Sequence, residues 1–288
     1  MSGPDHSESA AQALDAALYE RFGEKIALPE DVAADALQRT LAQLAARRVH
    51  RTWSVRPVSD ELVRLLCACA LSAPSKSDLQ QRDIIVVNDP AIRATIARLL
   101  PHMPWVEKAP RFLVFCANGR RIRQTSALRG KPFPNNHLDL FFNAVGDAAI
   151  ALTTCLHAAE AIGLGCCPIS EVRNHARILD PLFRLPQQVI PFAGLCIGWP
   201  GAPDQISPRL PLAMTVHENT WHEPELASTL DEYDRRREAL QPYQKQYQPE
   251  RWGVDAVYGW SHQKARQYAV EQRADFGAYV RDKGFNLE

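Results

Sequence analysis

Residues 138–162 read LDLFFNAVGDAAIALTTCLHAAEAI, and Gly163 follows them directly. Apolar side chains lie almost all round a helical projection of this segment. A helix of this kind must be buried on most sides, either by a sheet or by a partner subunit. Glycine commonly ends such a helix because it adopts the left-handed conformation without steric cost. The segment therefore predicts a long buried helix, ended by Gly163, around which the chain is organised.

Three other apolar stretches predict buried strands, at residues 83–88, 112–117 and 189–198. Several helices accompany them. A serine cap predicts one from Ser59, and Asp89-Pro90 predicts the start of another. Further helices are predicted around Leu14, Leu18 and Phe22, over 30–46, and near 227–241 and 262–283. Helices packed on a few strands indicate an α+β fold, in which the strand order remains open.

The segments between and around these elements suggest how the chain is divided. Residues 118–137 are polar and interrupted by glycine and proline, which predicts a long surface loop of the kind that forms lids. We expect an N-terminal helical extension over 1–39 and a core over 40–220. The charged, aromatic segment 221–288 has too little apolar periodicity for its own core, so we interpret it as an excursion that wraps another surface.

Composition narrows the class of protein. The 288 residues carry 33 basic and 33 acidic side chains, so no global field favours nucleic acid or an acidic membrane. The seven cysteines form no CxxC pair and lack zinc-ligand spacing, which favours reduced core thiols and no metal site. We find no secretory signal and no run of the roughly 20 apolar residues that a membrane span needs. These features predict a soluble cytoplasmic protein.

Four short motifs could hold a ligand. Arg47, Arg48 and Arg51 can converge on one anion, because guanidinium groups suit bidentate phosphate contacts. Residues 72–80 form a turn rich in hydroxyls and backbone N–H groups. Residues 163–171 follow the buried helix with two glycines, and residues 194–200 precede Arg209 between prolines. Taken singly, each motif is also consistent with a solvated helix end, a generic loop or a helix cap.

The order and spacing of the four motifs together resemble the nitroreductase superfamily. Within it, Gly194-Leu-Cys-Ile-Gly-Trp-Pro, Pro208-Arg-Leu-Pro and Val216-His-Glu-Asn resemble the NADPH-preferring major nitroreductase and flavin reductase branch. The resemblance covers about residues 40–288. It implies a nitroreductase-like α+β fold, with a central mixed or antiparallel sheet flanked by helices. It also implies an intertwined homodimer with FMN at each subunit interface, NAD(P)H as co-substrate and a small-molecule electron acceptor.

The resemblance assigns cofactor contacts residue by residue. Arg47, Arg48 and Arg51 would hold the FMN phosphate and ribityl end, with Val49 contributing backbone only. Ser75, Lys76 and Ser77 would lie along the ribityl chain, and Asp78 would face the flavin pyrimidine. Pro168, Ile169, Ser170 and Glu171 would pass over the ring from the other subunit, and Arg209 would add a positive charge. No catalytic side chain is implied, since the flavin carries the chemistry, and His50, His137 and His157 are interpreted as structural.

Three positions depart from the family pattern. The branch often has a basic residue where Ser207 stands, and paired glycines where Ser170 and Glu171 stand. Only Lys245 and Arg251 are candidates for an NADPH 2′-phosphate. The expected activity is ping-pong reduction of nitroaromatic, quinone or flavin-like acceptors. The departures keep two alternatives open, a specialised flavin dehydrogenase or dehalogenase and a non-catalytic flavin-binding regulator. A plain Rossmann dehydrogenase is disfavoured because no G-x-G-x-x-G follows a strand.

Overall fold

The computed structural model describes residues 6–26, 40–202 and 204–288. The chain divides into two compact units, each made of two chain segments. Unit 1 comprises 1–48 and 205–271, and unit 2 comprises 49–204 and 272–288. The two segments of each unit lie far apart in the chain, and each unit is described separately below.

Unit 2 contains a four-stranded sheet and the helices that cover it. Its elements in chain order are α3 (Asp60–Leu71), β1 (Arg82–Val86), α4 (Pro90–Leu99), α5 (Pro104–Lys108), β2 (Arg111–Asn118), α6 (Arg120–Leu128), α7 (Leu138–Ala161), β3 (Gly165–Ile169), α8 (Ala176–Phe183), β4 (Val189–Gly198) and α13 (Phe276–Asp282). The helix starts follow the predicted caps. Ser59 Oγ accepts from Leu62 N at 3.2 Å, and Asp89 Oδ1 accepts from Ala91 N at 2.7 Å.

The sheet has the strand order β1-β2-β4-β3, and every pairing is antiparallel. The apolar stretches of the sequence predict three of the four strands, but the sequence indicates a turn where β3 forms. β3 has only five residues and contains Pro168, which cannot donate to a ladder. The strand tolerates proline because it lies at the sheet edge, where a missing N–H costs nothing. Too short and too irregular to show an alternating pattern, it is recognisable only through its pairing with β4.

The predicted central helix is α7, which packs against α3 and β2. Small side chains such as Ala151, Cys155 and Ala159 are fully buried against Leu113 and Phe115 of β2. Gly163, just past the end of the helix, has φ +85°. By length and composition α7 could cross a membrane, so the expectation that no segment reaches that length is wrong. Buried core helices of soluble proteins pass the same test, which makes this weak evidence for a span.

One face of α7 is not covered within the chain. Leu138, Phe142 and Ile150 are exposed at 49, 72 and 41 %. Gly146 lies between Phe142 and Ile150, and a Cβ there would meet nothing within 4 Å. Residues four apart share one face of a helix, so these positions form an apolar stripe. We call Leu138, Phe142, Gly146 and Ile150 the α7 stripe.

The predicted long loop at 118–137 is wrong over its first half, where α6 forms. Asn118 Oδ1 accepts from Arg121 N at 3.0 Å and so caps the helix start. The Arg121 guanidinium donates to Gln80 O at 2.5 Å and also bonds Asp83, which ties the helix to β1. These tertiary contacts stabilise a polar helix that has no buried residue of its own. A sequence pattern based on apolar periodicity could not have found it.

Unit 1 is helical in the part that the structure describes. Its elements are α1 (His6–Phe22), α2 (Ala42–Ala45), α9 (Leu212–Thr215), α10 (Leu226–Leu240), α11 (Pro249–Trp252) and α12 (Trp260–Tyr268). Leu14 and Ala17 of α1 are buried with Ala45 and Ile206, as the predicted apolar face requires. The predicted helix over 30–46 lies outside the described residues except for α2. The predicted helix at 262–283 is two helices, α12 in unit 1 and α13 in unit 2.

All seven cysteines lie among the described residues as thiols, and five are buried. Burial raises the pKa of Cys116 and Cys155 from 9.0 to about 12. Cys67 and Cys69 on α3 are only half-buried. Reactivity requires the thiolate, so the buried thiols should be inert in the folded protein.

We therefore expect a thiol reagent at pH 8 to modify at most Cys67 and Cys69 in the native protein, and all seven cysteines in urea. Rapid labelling of more than two thiols in the native protein would contradict the assignment of the buried cysteines.

The two raised pKa values also have a consequence for stability. Unfolded thiols ionise above about pH 9, whereas Cys116 and Cys155 stay protonated to about pH 12. Their contribution to stability is complete below pH 9 and is lost progressively as the pH rises towards 12.

Candidate cofactor site

The turn that contains Ser75, Lys76, Ser77 and Asp78 is held by one buried carboxylate. Asp147 of α7 is 1 % exposed, and its Oδ2 accepts from Ser75 Oγ at 2.7 Å and from Gln81 N at 2.8 Å. Its Oδ1 accepts from Lys76 N at 3.1 Å. The Ser75 hydroxyl also accepts from Gln80 N at 2.7 Å. The first predicted ribityl contact thus fixes the turn itself, and the turn presents Lys76, Ser77 and Asp78 to solvent.

Arg82 completes this network from the start of β1. Its Nη1 lies 3.4 Å from Asp147 Oδ2, and both side chains are almost fully buried. Its Nη2 donates to Leu71 O at 2.9 Å and to Ala73 O at 2.8 Å. A buried ion pair is stable only when further hydrogen bonds satisfy the remaining donors and acceptors. Asp147 and Arg82 meet that condition, and together they join α3, the turn, β1 and α7.

The same turn has an unusual backbone. Ser77, Asp78 and Gln80 all have positive φ, between 48° and 55°. Such conformations cost about 1–3 kcal/mol each in residues other than glycine, and they persist only where the surroundings impose them. Asp147 and Arg82 supply those constraints. The turn is therefore held in a strained shape, as is typical of ligand-contacting segments.

The second group of predicted contacts lies along β3. His50 N donates to Cys166 O at 3.0 Å, so the segment with Val49 and Arg51 follows this strand. Gly165 is required here, because a Cβ would come within 2.6 Å of the His50 ring. The Arg51 guanidinium lies 5.0 Å from the centre of the Trp105 ring, within the range of a cation–π contact.

The turn after β3 contains the other predicted ring contacts. Ile169 is buried in the core, which leaves its backbone as the part able to face a ligand, whereas Pro168 and Ser170 are exposed. The Glu171 carboxylate contacts an imidazole, since its Oε1 lies 2.9 Å from Nε2 of His102. A carboxylate–imidazole pair therefore occupies the position where the family often has glycine.

These two groups of residues do not meet within one chain. The turn at 75–78 leads into β1, whereas residues 168–171 end β3, and these strands are the two edges of the sheet. Neighbouring strands are about 4.8 Å apart, so three spacings separate the edges by about 14 Å. The two groups of predicted contacts therefore lie at opposite edges of the sheet.

The remaining predicted contacts are arginines of unit 1, and the structure collects them round Arg21 of α1. The Arg21 side chain donates to Ala45 O at 2.9 Å, to Arg47 O at 2.5 Å and to Ser207 O at 3.3 Å. In return, Arg21 O accepts from Arg209 N at 2.7 Å. Segments from the two ends of the chain are thus joined at one buried side chain. We call Arg21, Arg47, Arg48 and Arg209 the arginine cluster.

The charges of this cluster act on one another. Burial, followed by the positive charges of Arg209 and Arg47, lowers the pKa of Arg21 from 12.5 to about 10. Glu20 opposes this shift, and Arg48 adds to it. Arg21 still carries its charge at neutral pH, so like charges are held together at a cost in free energy. A bound anion would offset that cost, and the paired N–H donors of a guanidinium group match the geometry of a phosphate group. The donor chemistry therefore fits the phosphate of FMN.

A large cavity lies elsewhere in unit 1. It measures about 910 Å³ and contains none of the predicted cofactor contacts. Asp231, Asp234, Glu238 and Asp255 line it together with Tyr243 and Tyr258. These four carboxylates outnumber Arg235 and His262 in the lining, so the charge of this cavity does not suit a phosphate.

The strained turn of unit 2 is typical of ligand-contacting segments, and the arginine cluster of unit 1 has the donors that suit a phosphate. The comparisons with known proteins identify the family. Residues 44–199 match the Nitroreductase family, and residues 207–288 match the Nitroreductase family, C-terminal domain. The chain belongs to the nitroreductase family, as the motifs predicted.

Relatives and solved structures agree with this assignment. The chain is 31 % identical to the FMN reductase [NAD(P)H] of Bacillus subtilis, over 88 % of this chain and all of that protein. It is 30 % identical to the NADPH-flavin oxidoreductase of Vibrio harveyi, over 86 % of this chain and 98 % of the relative. The fold is similar to that of Bacillus megaterium NfrA2, with a TM-score of 0.76 at 29 % identity, covering 85 % of this chain and 97 % of the other.

Sequence reasoning missed three side chains that shape the site. Asp147 was hidden inside an apolar helix, where a carboxylate in the middle of the apolar run was itself a signal of a buried partner. His102 lies in a loop without any pattern, and only its contact with Glu171 identifies it. Arg21 lies outside the region of family resemblance. A buried arginine was indicated there only by its place beside the apolar face of α1.

Proposed function

We propose that this protein is an FMN-dependent NAD(P)H oxidoreductase that reduces nitroaromatic, quinone or flavin-like acceptors. The observation that carries the proposal is the arginine cluster, which brings Arg47, Arg48 and Arg209 together from distant parts of the chain. The relatives named above bear the names FMN reductase and NADPH-flavin oxidoreductase. NADPH is the favoured co-substrate, and Lys245 and Arg251 are exposed candidates for contact with its 2′-phosphate.

When bound, FMN would supply the redox chemistry, namely hydride uptake from NAD(P)H and electron transfer to the acceptor. The chain supplies binding and orientation. Arg47, Arg48, Arg51 and Arg209 would hold the phosphate and ribityl end, with Val49 contributing its backbone. Lys76, Ser77 and Asp78 would contact the ribityl chain and ring edge from the turn that Asp147 and Ser75 hold in place. Residues 168–171 would lie over the ring.

The protein would work as a homodimer. Two features support this: the ring contacts lie at opposite edges of one sheet, and the α7 stripe leaves apolar side chains exposed. A second copy would cover the stripe and supply the missing half of each flavin site. Gly146, in the middle of the stripe, would allow a partner helix to approach closely. We place the enzyme in the cytoplasm, where the seven thiols would stay reduced.

The proposal is tested on the purified protein. We expect a yellow protein whose visible spectrum is bleached by NADPH faster than by NADH under anaerobic conditions. Initial rates with a nitroaromatic or quinone acceptor should give parallel double-reciprocal lines, because NAD(P)H and the acceptor use the pocket in turn. Colourless protein that takes up no FMN would refute the function. Yellow protein that no nicotinamide reduces would favour the non-catalytic alternative.

Glu171 and His102 are the features that favour a specialised acceptor. The Glu171 carboxylate places negative charge where the family often has glycine, and at contact range such a charge alters anion binding by about 1 kcal/mol. We expect Glu171→Gln to lower the KM for an anionic nitrobenzoate about threefold to tenfold, with little change for neutral nitrobenzene. Glu107→Gln, an exposed position on α5, is the control. Equal changes for both acceptors would show that Glu171 acts on shape and not on charge.

A further inference from the structure

The N-terminal helix α1 lies outside the family match, which begins at residue 44. Matched structures use 97–98 % of their own length to cover 85 % of this chain, so part of this chain has no counterpart in them. Yet Arg21, at the end of this helix, is only 7 % exposed and is more deeply buried than Arg47, Arg48 or Arg209. A long charged side chain is rarely buried unless its charge and donors are used.

The contacts of Arg21 reach both chain segments that carry the predicted phosphate contacts. It donates to the carbonyl oxygens of Arg47 and Ser207, and its own carbonyl oxygen accepts from Arg209 N. Arg236 of α10 reinforces this junction, donating to Arg21 O at 3.0 Å and to Arg209 O at 2.8 Å. Arg21 of α1 therefore holds the backbone of both Arg47 and Arg209 in place.

The identity of residue 207 affects the positive charge of the arginine cluster. The resemblance to the family branch implies a basic residue at this position, whereas serine provides no charge. The Arg21 guanidinium lies against the Ser207 carbonyl oxygen, and its charge is felt by Arg209, Arg47 and Arg48. Arg21 therefore brings a positive charge to the place where Ser207 lacks one.

We propose that Arg21 is a positioning residue of the FMN phosphate site, supplied by the added helix α1, and that its charge replaces the cation missing at Ser207. This inference rests on the proposed FMN binding. It assigns the N-terminal extension to cofactor retention. It also makes the phosphate the part of FMN on which Arg21 acts, since the cluster that it organises consists of phosphate-binding side chains.

The test compares FMN with riboflavin, which lacks the phosphate. Full-length apoprotein is titrated with each flavin, and binding is followed by quenching of flavin fluorescence. We expect Arg21→Met to weaken FMN binding by about tenfold to a hundredfold, in the range of charge-assisted hydrogen bonds, with riboflavin affinity changed less than about twofold. Arg235→Met, an exposed arginine on α10, is the matched control and should bind both flavins as the wild type does.

Two further variants separate charge from folding. Adding Ser207→Lys to Arg21→Met should restore most of the FMN affinity, because it returns a cation to the cluster. Arg21→Lys keeps the charge with fewer donors and should lose less FMN affinity than Arg21→Met. Equal loss of FMN and riboflavin, or no rescue by Ser207→Lys, would overturn the inference and leave the proposed function intact. Wild-type protein that binds neither flavin would refute the proposed function itself.

Discussion

Asp147→Asn is expected to destabilise the protein by about 3–5 kcal/mol and to abolish retention of FMN. Removing one partner of a buried, hydrogen-bonded ion pair leaves the other charge uncompensated in the core. Here that charge is Arg82, whose Nη1 lies 3.4 Å from Asp147 Oδ2. The amide also replaces an acceptor of Ser75 Oγ and Gln81 N with a group that donates, so the cofactor turn loses its anchor. Urea denaturation and the visible spectrum of the purified variant measure the two effects.

Two variants control for this result. Asp139→Asn removes a carboxylate from the same helix at an exposed position and should change stability by less than about 0.5 kcal/mol. The double variant Asp147→Leu with Arg82→Met removes both charges, so it should lose less stability than the sum of the two single changes. A stable Asp147→Asn variant that keeps its flavin would show that the carboxylate does not hold the turn.

Phe142→Asp and Ile150→Asp are expected to dissociate the proposed dimer and, with it, to release FMN. In a two-fold interface each substitution places a carboxylate on both copies of the apolar α7 stripe. An uncompensated buried charge costs several kcal/mol. A loss of about 4 kcal/mol raises the dissociation constant about a thousandfold. Sedimentation equilibrium measures the mass, and the flavin absorbance of the same sample reports on the site.

The control is Leu128→Asp on α6, since Leu128 is 78 % exposed and lies outside the stripe. We expect this variant to remain dimeric and yellow. Monomeric wild-type protein that retains FMN would contradict the shared site. Dimers that persist in both α7 variants would place the interface on another face.

Much of the fold was predictable because local chemistry determines it. The caps at Ser59 and Asp89, the strand at 189–198 and the helix at 138–162 all follow from residues close together in the chain. The family could be predicted for a similar reason. Its arginine motif, glycine-bearing turn and late proline-arginine pair keep their order and spacing whatever the surrounding structure.

The errors share a physical cause. β3 is defined by pairing with β4, and α6 is stabilised by Arg121 contacts with Gln80 and Asp83. In both, the stabilising partner lies far away in the chain, so no local pattern records it. The same holds for the site, where His102 reaches Glu171 from a loop.

By itself the sequence determined that this chain carries a buried central helix, a set of arginines with the chemistry to bind a phosphate and the motifs of the nitroreductase family. Only the tertiary structure decided which groups hold the predicted cofactor contacts in place. It placed Asp147 against the turn at 75–78, Arg21 against the backbone of Arg47 and Arg209, and the two groups of predicted ring contacts at opposite sheet edges. The reason is that burial and convergence of charge depend on segments distant in sequence, and folding alone brings those segments into contact.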